Sequence, residues 1–464
     1  MNITKTIARF ASEIVFDDLP SEVVLETKRL ILDTLGCAAG GLLTEKGKLA
    51  LRLSRRLGGP PEASLPGKGE KVSAASAAYA LGELMNALDF EALLSPPDHA
   101  TPYVTAAPLA VADMNDVSGE DFITATALAH EVSTRMALSL VFGNRFAVEL
   151  PDKGVAMSLP TPGYGLCIFG GVAAAGKLYG LNSEQIAHAM GIAGYSAPVP
   201  MLMTFTQAVP AAIPKYLSAG ALSQQEVMAI LSAAMGCSGD TRVLDGDYGF
   251  WRAFGCDGWR PDVMIQDLGK TWLFPERLFY KTFPCCGAMQ NGLSLFRELI
   301  TENTLQPEDI SSLTVKMNAL TELPVWKSHS VENHIDAQFN VPFVFSLVAH
   351  YIEPGPLWQT PETLSDPRHK TFMQKVRVIT DLDDRSRTMP DIELETGSGS
   401  LKRRYRKNGF ALQQTMTEDR LLDKFTRNTR PVLKEEHRLK TATGIQSLES
   451  LKHMKDLMTC LVIS

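Results

Sequence analysis

The chain has 464 residues, 45% of them hydrophobic and 21% charged, with a formal net charge of −7. One hydrophobic core usually organises no more than about 250 to 300 residues, so more than one domain is expected, with ample apolar material and no wholesale disorder. The acidic balance excludes a general nucleic-acid binder, and seven cysteines, odd in number and scattered, suit a reducing compartment better than a disulfide framework.

From the amino terminus, Met1 to Lys5 leads to Glu13, Asp17 and Asp18 without a continuous apolar core, so no secretory leader is expected. No segment approaches the roughly 18 uninterrupted apolar residues of a membrane span. A cytoplasmic protein with no membrane contact is the expectation. The first 270 residues read as helix after helix: Ser21 to Leu35, Asp121 to Leu140, and Ile186 to Ala193 behind an Asn182-Ser183 cap. Small residues crowd these segments, as in Gly170 to Gly176 and Ser218 to Ala221, which suits closely approaching helix backbones.

Past residue 270 the texture changes. Residues 312–317, 375–379 and 391–395 alternate at strand period, with helical runs at Met289 to Leu299 and Pro342 to Ile352 between them. Thr417 to Phe425 then returns to helical spacing. The reading is a mostly α protein: a large all-helical domain made of residues 1–270 plus 410–464, discontinuous in sequence, and a smaller α+β domain over 271–409. The basic run Lys402 to Lys407 is read as the solvated edge of a hairpin.

For chemistry, Asp89 and His99 stand on one short loop. An imidazole titrates near neutrality and a nearby carboxylate orients it, so the pair suits proton transfer. There is no Walker loop, no GxGxxG, no GxSxG elbow, and no CxxC or HExxH spacing. Cys285-Cys286 alone is a poor cluster signature. Chemistry without cofactor or metal is the economical expectation.

Five segments occur in an order that resembles the MmgE/PrpD family: Leu32 to Cys37, Ala87 to His99, Gly180-Leu181 with Gln185-Ile186, Lys281 to Cys286, and Met416 to Glu418 with Lys424-Phe425. The resemblance covers roughly residues 5 to 430. It implies a helical domain with an α+β lid, a homodimer, no required metal, and a small polycarboxylate substrate that loses or gains a proton beside a carboxylate. It also implies catalytic roles for Asp89, His99 and Lys215, the last as an ammonium that pairs with substrate carboxylate and stabilises enolate-like charge.

The chain departs from the family where histidines are usual. Thr161 and Tyr164 stand before the glycine-alanine helix, and Cys286 and Gln290 stand at the Pro-Cys-Cys segment. With His334, which precedes a segment resembling the start of the family's lid, these are the expected substrate-binding residues; Tyr164 or Cys286 is expected to supply proton traffic in place of the histidines. The leading expectation is a lyase that dehydrates a citrate-like or alkylcitrate-like acid. An epimerase or isomerase, a decarboxylase, and a non-catalytic carboxylate-binding scaffold are the alternatives.

Overall fold

The computed structural model describes residues 2–142, 147–150, 155–158, 163–197, 203–380, 390–404, 416–459 and 461. It is mostly helical, with one four-stranded sheet and several short two-stranded ones among the described residues.

The amino-terminal part is built from α1 (Ile3–Glu13), α2 (Ser21–Gly41), α3 (Glu45–Leu57), α4 (Ala74–Asn86), α5 (Ala100–Asn115), α6 (Gly119–Ser139), α7 (Ile168–Tyr179), α8 (Ser183–Gly194) and α9 (Ala219–Ala234). Side-chain caps start many of them: Thr44 accepts from Gly47 N, Ser73 from Ser76 N and Ser118 from Asp121 N, each satisfying an amide that the helix leaves orphaned. The expected cap at Asn182 is a full capping box with Gln185.

The small residues let these helices touch backbone to backbone. A Cβ added at Gly220 would stand 2.3 Å from Tyr79 O, and α4 and α9 pack face to face across this point. α5, α6 and α7 are central; nearly every residue of α5 and α6 is buried.

The second part carries a sheet in which Val376–Thr380 runs parallel to Ile310–Met317, with Val376 opposite Leu313. Asp391–Thr396 pairs antiparallel on the other side of Ile310–Met317, and Gly399–Arg404 closes the edge. The strand Ile310–Met317 buries Ile310, Leu313, Val315 and Met317 in alternation, while helices Gln290–Glu302 and Val341–Ala349 touch its neighbours Asp391–Thr396 and Val376–Thr380 respectively. The expected basic edge lies on the outer strand, where Lys402, Arg403 and Arg404 pair with Glu393, Glu302 and Asp391; residues 405–407 lie outside the described residues.

The last helices return to the amino-terminal part. Helix Glu418–Thr429 packs along α2, and Glu435–Gln446 also touches α2. A two-residue pairing, Leu93 opposite Phe279, joins the loop after α4 to the start of the second part. No described helix is long and apolar enough to cross a membrane.

Candidate active site

α4 ends at Asn86, and the chain then crosses the interior as Ala87-Leu88-Asp89-Phe90, all buried. Such a segment has no helix or ladder to satisfy its carbonyls, and a buried unpaired carbonyl is costly. Five consecutive carbonyls are instead met by side chains from distant parts of the chain. Lys215 Nζ donates to Asn86 O (2.8 Å), Gln338 Nε2 to Ala87 O (2.7 Å), Gln359 Nε2 to Leu88 O (2.8 Å), Lys281 Nζ to Asp89 O (2.7 Å) and Lys424 Nζ to Phe90 O (2.7 Å). Lys424 is itself fixed by Asp33 Oδ1 at 2.6 Å, and Asp33 Oδ2 accepts from Ala92 N. Asp89 sits in the left-handed region at φ 55°, a conformation an aspartate tolerates better than most residues.

That backbone turn aims the Asp89 carboxylate at two ammonium groups, Lys215 Nζ on Oδ1 at 3.1 Å and Lys281 Nζ on Oδ2 at 2.7 Å. Burial alone would raise the Asp89 pKa, but Lys215, Lys281 and then His99 outweigh it and hold it well below the usual carboxylate range. The two lysines differ. Burial pulls Lys215 down to about 8 despite Asp89, with Lys46 and Lys281 adding to the fall. In Lys281 burial is overcome by Asp89 and Glu91, and its pKa is raised. Lys281 is therefore the more firmly held cation, and Lys215 the one that gives up its proton more readily.

The chain turns back at Leu94–Asp98, where Leu94 N donates to Asp98 O, and His99 opens α5. Its Nδ1 lies 2.7 Å from Glu91 Oε1, and its Nε2 lies 3.8 Å from Asp89 Oδ1. The carboxylate that orients the imidazole is thus Glu91, and not Asp89 as the loop pattern had led one to expect. Burial opposes ionisation of Glu91, but His99 and then Lys281 bring it down to about 2, so an ionised Glu91 fixes the imidazole at Nδ1 and leaves Nε2 on the side of Asp89. Asn86 Nδ2 donates to the same Glu91 oxygen and to Tyr216 Oη, and Lys46 Nζ fixes the Asn86 side-chain oxygen at 2.9 Å.

Tyr164 and Tyr216 wall the imidazole, at ring distances of 5.6 and 5.1 Å, and Tyr164 stacks on Tyr103. His334 is buried; burial first, then Lys215 and Lys46, push its pKa to about 3, so it is neutral, and its Nε2 meets no partner among the described residues. Cys286 is half-buried, and its amide donates to Gln338 O. Gln290 spends its side-chain amide on the 282–285 backbone, accepting from Thr282 N and Phe283 N and donating to Phe283 O and Cys285 O. It therefore shapes the loop that carries Lys281 and has no free arm for a substrate. Thr161 lies outside the described residues.

Asp89, Glu91 and His99 form the one set of metal-ligand type among the described residues, with ligand atoms within 4.8 Å. The set does not fit a cation: each Asp89 oxygen already faces an ammonium, and a third positive charge there would be repelled. Glu91, Lys281, Asn86, Tyr216 and Lys46 were not singled out from the sequence. The available signal was a lysine placed among aromatic and proline residues in Tyr280-Lys281-Thr282-Phe283-Pro284.

Residues 5–261 match the MmgE/PrpD N-terminal domain, and residues 283–450 match the MmgE/PrpD C-terminal domain. The chain belongs to the MmgE/PrpD family. Cis-aconitate decarboxylase of Homo sapiens is 26% identical over 318 residues, 66% of this chain and 62% of the human protein; the match thus spans less than two thirds of that relative's length. Cis-aconitate decarboxylase of Aspergillus terreus is 23% identical along 100% of this chain and 97% of its own length. The cis-aconitate decarboxylase-like protein oryM of Aspergillus oryzae is 22% identical over 64% of this chain and 61% of its own. Within this MmgE/PrpD chain, Asp89, His99 and Lys215 meet around a single carboxylate, with Tyr164 against His99.

Proposed function

We propose that this chain is a cofactor-independent lyase that dehydrates a citrate-like or alkylcitrate-like polycarboxylic acid. One observation carries the reading: His99 Nε2 and Lys215 Nζ lie 3.8 and 3.1 Å from the same oxygen of Asp89, so a base and an ammonium serve one small volume. In the reaction, the C–H bond beside a substrate carboxylate breaks and its proton passes to His99 Nε2, whose imidazolium Glu91 stabilises. The electron pair forms the new double bond, the C–O bond of the neighbouring hydroxyl breaks, and the leaving oxygen takes the Lys215 proton and departs as water. Before that departure, the Lys215 charge offsets the enolate-like anion. Lys281 keeps Asp89 in place, and the homodimer that the family resemblance implies belongs to the same reading.

Incubation of the purified protein with 2-methylcitrate, citrate and longer alkylcitrates tests it. Growth of the ultraviolet absorbance of an unsaturated acid is expected; a folded protein silent on all of them ends the dehydratase reading. A second reading, decarboxylation, is favoured by the names of the relatives found. There the C–C bond to a carboxylate breaks, carbon dioxide leaves, and the carbon is protonated by Lys215 or imidazolium. Carbon dioxide release from cis-aconitate, without turnover of the hydroxy acids, would replace the first reading by this one.

A further inference from the structure

The strongest feature outside the catalytic cluster is a groove of about 820 Å³ between α3, the 331–334 turn and the 359–370 segment. Its lining includes His334 and Gln359. These tie it to the chemistry: Gln359 holds Leu88 O and Pro284 O, and His334 lies in the field of Lys215 and Lys46. The groove is therefore the outer side of the wall that carries Asp89.

Its charge comes mainly from one helix. α3 points Lys46 inward, buried against Asn86 and Glu83, while Lys48, Arg52 and Arg55, spaced by four and three, line the groove. Lys370 faces them from the other bank, and Glu45 and Glu332 also lie on the rim. Arg55 is paired with Glu70, and Lys48 lies in the field of Glu362. Arg52 and Lys370 are exposed and have no ion pair among the described residues. His334 also lines the groove, with its Nε2 closed off from solvent and, among the described residues, without a hydrogen-bond partner.

We propose that this groove is a docking site for a polycarboxylate anion, held by Arg52 and Lys370 at its mouth, from which the substrate is passed to the Asp89 cluster. The inference rests on the polycarboxylate reading above. Several cations over an apolar floor raise the local concentration of an anion and its association rate, and the effect fades with salt. Leu51, Val331 and Leu364 form that floor; they lower the local dielectric and strengthen each contact. The volume also exceeds what a six-carbon acid fills, leaving room for an alkyl branch against the same three residues.

The test is the charge-reversed variant Arg52→Glu/Lys370→Glu, both positions being exposed and outside the catalytic cluster. With an active parent, kcat/KM at low ionic strength is expected to fall at least about tenfold with kcat within about twofold. The gap should close near 0.5 M salt, where screening acts over about 4 Å. Unchanged kcat/KM at low salt overturns the proposal. If the parent turns over none of the acids, the lyase reading fails by itself, and calorimetry with tricarballylate decides the groove. Binding to the parent that the variant loses supports it; equal binding in both, or none to the parent, overturns it.

Discussion

At the scale of single residues, the site separates two jobs that one lysine performs poorly. Asp89 needs a permanent partner, and Lys281, raised by Asp89 and Glu91, supplies it. Proton exchange needs an ammonium poised near neutrality, and burial brings Lys215 to about 8. If the acid form of Lys215 is the working form, kcat/KM falls as pH rises through about 8. Lys215→Arg, whose guanidinium stays charged, should flatten that alkaline limb, and Lys215→Met should lower kcat by about 100-fold or more. A pH–rate profile of the three proteins reads both effects; an alkaline limb unchanged in Lys215→Arg would remove the assignment. Glu91→Gln keeps a hydrogen-bond acceptor for His99 but removes the charge, so kcat is expected to drop about 10- to 100-fold while KM stays near the parent value. The Glu91 carboxylate, at about 2 in the folded chain, stabilises the fold fully above its ordinary value near 4.5, and this contribution disappears as pH falls toward 2.

At the scale of elements, the loop after α4 is held open by side chains that the sequence scatters from Lys215 to Lys424. Lys424 illustrates the cost of losing one. It donates to Phe90 O, pairs with Asp33 at 2.6 Å and sits 4.0 Å above the Phe90 ring. Lys424→Met leaves the Asp33 carboxylate buried without its cation, a change that typically costs about 3–5 kcal/mol. Asp33→Asn/Lys424→Met should recover a good part of that loss, because the uncompensated charge is gone. Urea unfolding of the parent and both variants checks this; additive losses would show that the two side chains act independently. The same cluster explains what the sequence made legible. The segments around Asp33, Ala87, Lys281 and Lys424, which carried the family resemblance, lie together in space as the walls and clamps of one loop. Helices with clear caps and period, such as Ser183–Gly194, and the strands at 310–317 and 391–396 were readable from local pattern. Glu91 was not, because its role depends on which carboxylate the Leu94–Asp98 turn brings to His99. Nor was the task of Gln290, since an amide aimed at its own loop has no sequence signature.

At the scale of the whole molecule, the buried titratable groups set how stability changes with pH. Burial depresses His130 to about 4, His334 to about 3 and His369 to about 4. Between the ordinary value near 6.5 and those values the unfolded chain binds protons that the folded chain refuses, so stability falls as pH falls, by about 1.4 kcal/mol per unit for each group. Glu226 works in the opposite direction. It is fully buried on α9 against Gly171 of α7, neither carboxyl oxygen has a hydrogen-bond partner among the described residues, and burial alone raises its pKa well above the ordinary value. The folded chain keeps a proton that the unfolded chain releases, so this residue costs stability as pH rises above about 4.5. Glu226→Gln preserves the shape and removes the ionisation. Its advantage over the parent should be small at pH 5 and grow by about 1.4 kcal/mol per unit while the parent acid stays protonated. His130→Gln should lose one proton's worth of slope on the acid side and leave the alkaline side unchanged. Urea midpoints from pH 4 to 8 for the parent and the two variants separate these contributions; parallel curves for Glu226→Gln and the parent would show that the carboxyl is ionised and has found a partner in the folded chain.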